Sequence, residues 1–172
     1  MRTIKVNPLD PASIDAAIKE IEEYEQFVEQ MAKELAEILT EMGLGYAQAS
    51  CPVRTGAAQA SITSNVEDGK GQIRAGGHCA YIEFGTGVRG ENGSSIISEV
   101  HPDRRWLAIM NWAYGSGLTI FTTKDGRTGW YYPVGDGTYR FTEGMPSRPF
   151  MFETAVFLKK EAPKMAEELF GQ

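Results

Sequence analysis

Residues 81–87 read Tyr-Ile-Glu-Phe-Gly-Thr-Gly, a carboxylate set inside an apolar run that ends abruptly in glycines. As a strand, the stretch alternates Tyr81 and Glu83 against Ile82 and Phe84, and Cys79–Phe84 becomes the third member of a β-meander. The first two members are Ser61–Val66 and Gln72–Ala75. The gaps between them, Glu67-Asp68-Gly69-Lys70-Gly71 and Gly76-Gly77, are turn chemistry. Glu83 in such a strand needs a partner, because an unpaired buried charge is costly. Arg148 or Arg54 is the expected cation, which makes the acid a structural device and not a catalyst.

Helical periodicity stands on both sides of this meander. Asp10-Pro11-Ala12-Ser13 opens a helix, with Ser13 the expected cap and Asp15 in the first turn, where the helix dipole favours negative charge. Ile14, Ile18, Ile21, Tyr24, Val28, Met31, Leu35, Ile38 and Met42 then recur at spacings of three and four. They form one apolar stripe, expected to pack on the chain's own sheet, with a neighbouring copy as the alternative. The opposite face carries Lys19, Glu20, Glu22, Glu23, Glu25, Glu29, Glu34 and Glu37, and Gly43 and Gly45 supply the expected stop. A second helix follows Pro149-Phe150-Met151, with Met151, Ala155, Leu158, Ala162, Met165 and Leu169 on one face. Pro163 should bend or interrupt it, since proline removes a backbone donor and clashes with the preceding turn.

Residues 88–143 show no sustained period but hold nine of the eighteen aromatics. Within them, Arg105–Tyr114 is expected as a short helix, and Gly129–Val134 and Thr138–Thr142 as a hairpin around Gly135-Asp136-Gly137. The expected fold is α+β: a long N-terminal helix, a small antiparallel sheet with an aromatic-rich insertion, and a C-terminal helix packed on the sheet. It is laid out as a single domain over 1–172. Residues 1–45 form a helical arm, 46–87 the turn and meander, 88–143 the insertion, and 144–172 the last helix.

Composition limits the function classes. The chain has 172 residues, 42 % apolar and 23 % charged, enough to bury a core without disulfides or metal. A formal net charge of -6 leaves no global positive field for gripping nucleic acid. Two cysteines, Cys51 and Cys79, form no C-x-x-C pair, which suits a reducing compartment. No apolar h-region and no window of 18 apolar residues occurs, so neither a standard secretion signal nor a membrane span is expected. Asn92-Gly93-Ser94 has the glycosylation pattern but lacks an export signal to make use of it.

Catalytic grammars are missing in turn. Cys51, His78, Cys79 and His101 lack metal-ligand spacing, and no metal or other cofactor is expected. Ser116, in Gly115-Ser116-Gly117, lacks the G-x-S-x-G elbow, and two histidines offer little general-base capacity. Gly85-Thr86-Gly87 and Gly135-Asp136-Gly137 match neither phosphate-binding pattern. Two other classes stay open: an intracellular enzyme with an unrecognised site, and a sugar-binding module stacking glycans on Trp130-Tyr131-Tyr132.

Three islands occur in order: Cys51-Pro52-Val53-Arg54-Thr55-Gly56 with Ser61-Ile62; Ala80-Tyr81-Ile82-Glu83-Phe84-Gly85-Thr86-Gly87; and Gly144-Met145-Pro146-Ser147-Arg148-Pro149-Phe150. Together they resemble the neck, or head-tail joining, family of long-tailed bacteriophages, also called minor tail components and named for the tenth gene product of a lambdoid phage. The family pattern has a P-x-R/D-T-G turn, an aromatic-x-E-F-G-T segment and an R-P-F opening the last helix. The resemblance spans about 45–170, and the insertion at 88–143 is longer than a minimal member requires.

The resemblance implies a non-enzymatic virion assembly protein. It would be a connector or tail-completion factor forming a ring of identical subunits between portal and tail tube, and a tail-terminator protein is the alternative. Implied partners are further copies of the chain, a portal or adaptor protein, and tail-tube or tail-terminator proteins, with DNA only as passing cargo and no membrane. The implied location is the virion, and the bacterial host cytoplasm during assembly. Arg54, Thr55, Gly56, Tyr81, Glu83, Phe84, Gly85, Thr86, Gly87, Arg148, Pro149 and Phe150 are the implied structural motif and subunit interface. Within it, Thr55 closes a local turn, Gly56 permits positive φ, and Pro149 pre-sets the helix start. Val88–His101 is the loop expected to order on assembly.

Overall fold

A computed structural model describes residues 4–89 and 120–171. Its longest element is α1 (Pro11–Ser50), 40 residues of unbroken helix, about 60 Å long at 1.5 Å per residue. Asp10, not Ser13, caps it: Asp10 Oδ1 accepts from the Ala12 N–H at 3.1 Å, and Pro11 occupies the first turn. Ser13 Oγ accepts instead from the Asn7 N–H at 2.9 Å, tying the preceding chain to the helix.

Neither Gly43 nor Gly45 ends α1. Gly43 is buried where the Ile73 and Leu158 side chains press against the helix, so its lack of a side chain serves close approach. Two helical glycines cost about 1 kcal/mol each, an amount tertiary packing readily overrides. The same packing displaces the expected core face. In its C-terminal half α1 buries the small residues Thr40, Gly43 and Ala47, while Ile14, Ile18, Ile21 and Tyr24 stay exposed and Val28–Met42 of the stripe are half-buried. Small residues win because they let neighbouring elements come to backbone distance, as Gly71 does at Thr40.

After a four-residue helix, α2 (Ala57–Ala60), strands β1 (Thr63–Glu67) and β2 (Lys70–Arg74) pair antiparallel, from Thr63 opposite Arg74 to Glu67 opposite Lys70. Their turn is Asp68-Gly69, with φ of 51° and 70°, the two positive values that a two-residue hairpin matched to strand twist requires. The expected third strand is a helix, α3 (Cys79–Phe84). Cys79 and Glu83 are buried one helical turn apart, a period-four pattern that overrides the short alternation of 81–84.

The described part of the insertion forms a separate antiparallel sheet in the order β3 (Phe121–Thr122), β4 (Thr128–Pro133), β5 (Tyr139–Thr142). The hairpin expected around Gly135-Asp136-Gly137 is β4–β5, with Trp130 opposite Thr142 and Pro133 opposite Tyr139. The helix expected at 105–114, Asn92-Gly93-Ser94, His101, Ser116 and most of the loop 88–101 lie outside the described residues.

The last helix, α4 (Phe150–Phe170), passes through Pro163 without interruption. Pro163 is exposed, so the carbonyl it leaves without an intrahelical donor can be met by water. α4 packs along α1, where the Tyr46 and Phe157 rings stack at 4.4 Å and 9°. The core, Ala47, Cys51, Ile62, Cys79 and Phe150, lies where α1, the β1–β2 hairpin side, α3 and the start of α4 meet, with Ile73, Ile82 and Met151 around it. The class is α+β, with the C-terminal helix packed on the small antiparallel sheet as the sequence implies. Among the described residues no helix is long and apolar enough to cross a membrane.

Candidate functional site

The second and third islands, some sixty residues apart, close on each other through backbone groups. Thr86 and Met145 exchange both main-chain hydrogen bonds, at 2.8 and 3.0 Å, as an isolated antiparallel bridge. Thr86 Oγ1 accepts a further bond from the Met145 N–H at 3.0 Å. One turn back, the Arg148 N–H donates to the Ile82 carbonyl at 2.8 Å and Ser147 Oγ donates to the Glu83 carbonyl at 2.7 Å.

Glu83 completes the latch. Its side chain reaches the N-terminus of α4, where Oε2 accepts from the Met151 N–H and Oε1 from the Phe152 N–H, each at 2.9 Å. The first turn of a helix has N–H groups without intrahelical partners and a positive dipole end, so a carboxylate there serves as a cap delivered from a distant element. The expected guanidinium partner is not used: Arg148 and Arg54 are both exposed, and no ion pair reaches Glu83 among the described residues. The helix start itself supplies the countercharge, a signal present in the Pro149-Phe150 opening.

Burial, with Glu83 only 4 % exposed, pushes its carboxyl above the usual carboxylate range; the two backbone donors pull it back and neighbouring Glu153 adds to the rise. Both oxygens are engaged by backbone donors, so this acid holds chain to chain.

The remaining motif residues are placed around the latch. Tyr81 is half-buried and Phe84 buried, while Gly85 and Gly87, with φ of 73° and 64°, are buried beneath the bridge. Gly87 abuts the Glu143 carbonyl and the Trp130 ring. Phe150, 1 % exposed, carries the third island into the core, where Cys51 of the first island joins it. Arg54 and Thr55 stay at the surface; Thr55 Oγ1 accepts from the Ala57 N–H at 3.4 Å, and Gly56 takes a φ of 80° to start α2. Pro149 is the N-cap residue of α4. The backbone partners Met145, Met151 and Phe152 act through main-chain groups that no residue type marks, and Ser147 contributes its hydroxyl from within the third island.

The other candidates are dispersed. Cys51 and Cys79 are buried free thiols; burial pushes the Cys51 thiol up, and Cys79 nearby adds to this. Cys79 Sγ lies 3.3 Å from Ser61 Oγ. His78 is at the α3 N-cap position. No cluster of three metal-ligating side chains occurs among the described residues. Trp130-Tyr131-Tyr132 does not make one stacking platform, because successive strand residues face opposite sides. Tyr131 packs instead against Phe121 and Phe141, at 5.5 and 5.6 Å, with the Arg127 guanidinium 5.1 Å from the Phe141 ring centre.

No family model matches the chain, and neither a curated protein nor a solved structure matches it.

Proposed function

We propose that this protein is a virion assembly component of a long-tailed phage or prophage, a connector or tail-completion subunit that works as a ring between portal and tail tube. One observation carries the reading: the second and third of the islands that resemble the neck family close on each other through Glu83 and Thr86 at and just before the start of α4, and the first island joins them in the core through Cys51. The second and third islands thus serve one architectural task. A second support is the acidic balance, net -6, since a wall that repels phosphates lets DNA pass without sticking.

The work is geometric: each subunit presents one patch to a different patch on its neighbour, and such contacts close into a ring when the rotation per step allows. Deleting the reading frame from the parent phage tests this. The expected lysate holds DNA-filled heads and separate finished tails, and added purified protein joins them. Normal virions from the deletion would overturn the reading, and tails of uncontrolled length would replace it with a tail terminator.

A further inference from the structure

Among the described residues, nothing covers the large side chains in the N-terminal part of the α1 apolar stripe, whereas its C-terminal part is half-buried in the chain's own fold. From Ile14 its residues keep a heptad spacing, Ile14, Ile21, Val28, Leu35 and Met42 alternating with Ala17, Tyr24, Met31 and Ile38. Toward the N-terminus Ala17 is buried, but the larger side chains of the seam lie in the open: Ile21 is 48 % and Tyr24 53 % exposed, and Ile14, Ile18 and Phe27 are exposed beside them. Side chains of this size amount to an apolar patch on the order of 400 Å², as large as the largest patch of many monomers.

Its flanks decide what covers it. The positions bordering the seam carry Glu20, Glu25, Glu34 and Glu41 and no lysine or arginine. Across residues 11–30 six carboxylates stand against Lys19 alone. Two such arms laid side by side would set Glu20 of one against Glu25 of the other, a like-charge contact that penalises arm-to-arm pairing. The arm fits an apolar surface edged by positive charge.

The chain offers one. A groove of about 540 Å³ runs between α1, β2 and α4, walled by Leu39, Ile73, Met151, Leu158 and Ala162. Among the described residues Lys159 is its only charged lining residue, and it is exposed. The arm cannot reach the groove of its own chain. Ala36 and Leu39 of the groove wall belong to the same continuous helix, so Tyr24 is held about 18 Å along the axis from Ala36. Contact between stripe and groove is intermolecular by construction.

We propose that the N-terminal half of α1, through Ile18, Ile21 and Tyr24, docks across the α1–β2–α4 groove of a second copy, with its carboxylates facing Lys159. The contact is head-to-tail, so each subunit gives an arm and receives one, the arrangement from which rings are built. This deepens the ring reading and rests on it for the identity of the occupant.

Light scattering coupled to size exclusion tests it, at low salt and over about a hundredfold concentration range. Three full-length proteins are compared: wild type, an arm variant (Ile18→Asp with Ile21→Asp) and a groove variant (Lys159→Glu with Ala155→Glu). All four substituted side chains are exposed, and circular dichroism and melting confirm that the folds are kept.

Wild type is expected to form species larger than a monomer that weaken as salt is raised. Each variant alone should stay monomeric. An equimolar mixture of the two should form a dimer and nothing larger, because only one intact arm and one intact groove remain between them. A wild type that is monomeric throughout, or a mixture that fails to dimerise, overturns the proposal. Variants that still assemble as wild type does overturn it as well. Joining of heads to tails in the deletion lysate is scored separately, so loss of self-docking and loss of the neck reading are distinguishable.

Discussion

The carboxylate of Glu83 and the backbone N–H of Met151 meet at 2.9 Å across 68 positions of sequence, and this bond fixes where α4 begins relative to α3. The neighbouring Phe152 N–H occupies the second oxygen at the same distance. Glu83→Gln keeps one acceptor but turns an amide donor toward the other N–H, leaving a buried donor unmet. The expected loss is about 1–3 kcal/mol of unfolding free energy, and Glu83→Ala, which removes both acceptors, should lose more. Urea denaturation at pH 7 checks both, and an unchanged midpoint for Glu83→Gln would show that the latch does not hold the fold.

The same residue sets a pH dependence. Burial raises the folded-state pKa of Glu83 above its unfolded value of about 4.3, so the folded chain binds this proton more tightly. The protonated carboxyl still accepts at both oxygens, unlike the amide. The part of its contribution linked to this proton is therefore full below the unfolded pKa and is lost as pH rises through the folded pKa, while the bonds to the Met151 and Phe152 N–H groups persist at neutral pH. The stability gap between wild type and Glu83→Gln, which lacks the titration, should narrow as pH rises from about 4 toward neutrality. A gap that widens over that range would mean the helix end holds the anion more firmly than burial opposes it.

What could be read in the sequence was whatever depends on local chemistry. The long helix followed from its 3.6-residue period, the β1–β2 hairpin from its Asp68-Gly69 turn, and the β4–β5 hairpin from glycine-flanked aromatic runs. Features set by tertiary contact were not legible. Residues 81–84 alternate well enough for a strand, and only burial of Cys79 with Glu83 against Phe150 selects a helix. The stripe of α1 was visible, but its use was not: large apolar residues suggest a core, whereas the helix meets its neighbours through Thr40, Gly43 and Ala47. Glu83 is recognisable in the sequence as needing a partner, but backbone donors are marked by no residue type, whereas the cations Arg54 and Arg148 stand out by theirs.

Gly144 isolates the bridge between the islands. With φ at 100° and its backbone against the Thr86 carbonyl, it has no space for a side chain. Gly144→Ala incurs both the positive-φ strain and the overlap, an expected cost of about 3 kcal/mol. Hydrogen exchange would place the damage: the Thr86 and Met145 amides should lose protection before those of β1 and β2. Uniform protection in the variant would mean that the bridge is not an independent constraint.

Gly43 and Gly45 lie two residues apart on α1, yet opposite effects are expected of them. Nothing lies within 4 Å of the position a Cβ on Gly45 would take, so Gly45→Ala acts on helix propensity alone and should stabilise by about 0.5–1 kcal/mol. In a domain of this size that is a rise of about 2–3 °C in melting temperature. At Gly43 a side chain would meet the Ile73 and Leu158 methyls that seal the α1–β2–α4 contact. Gly43→Val adds three carbons into that seam, and despite better helix propensity should cost about 1–3 kcal/mol through overpacking. Melting curves of the two variants side by side decide whether close approach or mere tolerance placed glycine at 43. A stabilised Gly43→Val would mean that α4 stands farther from α1 than the packing of Leu158 requires.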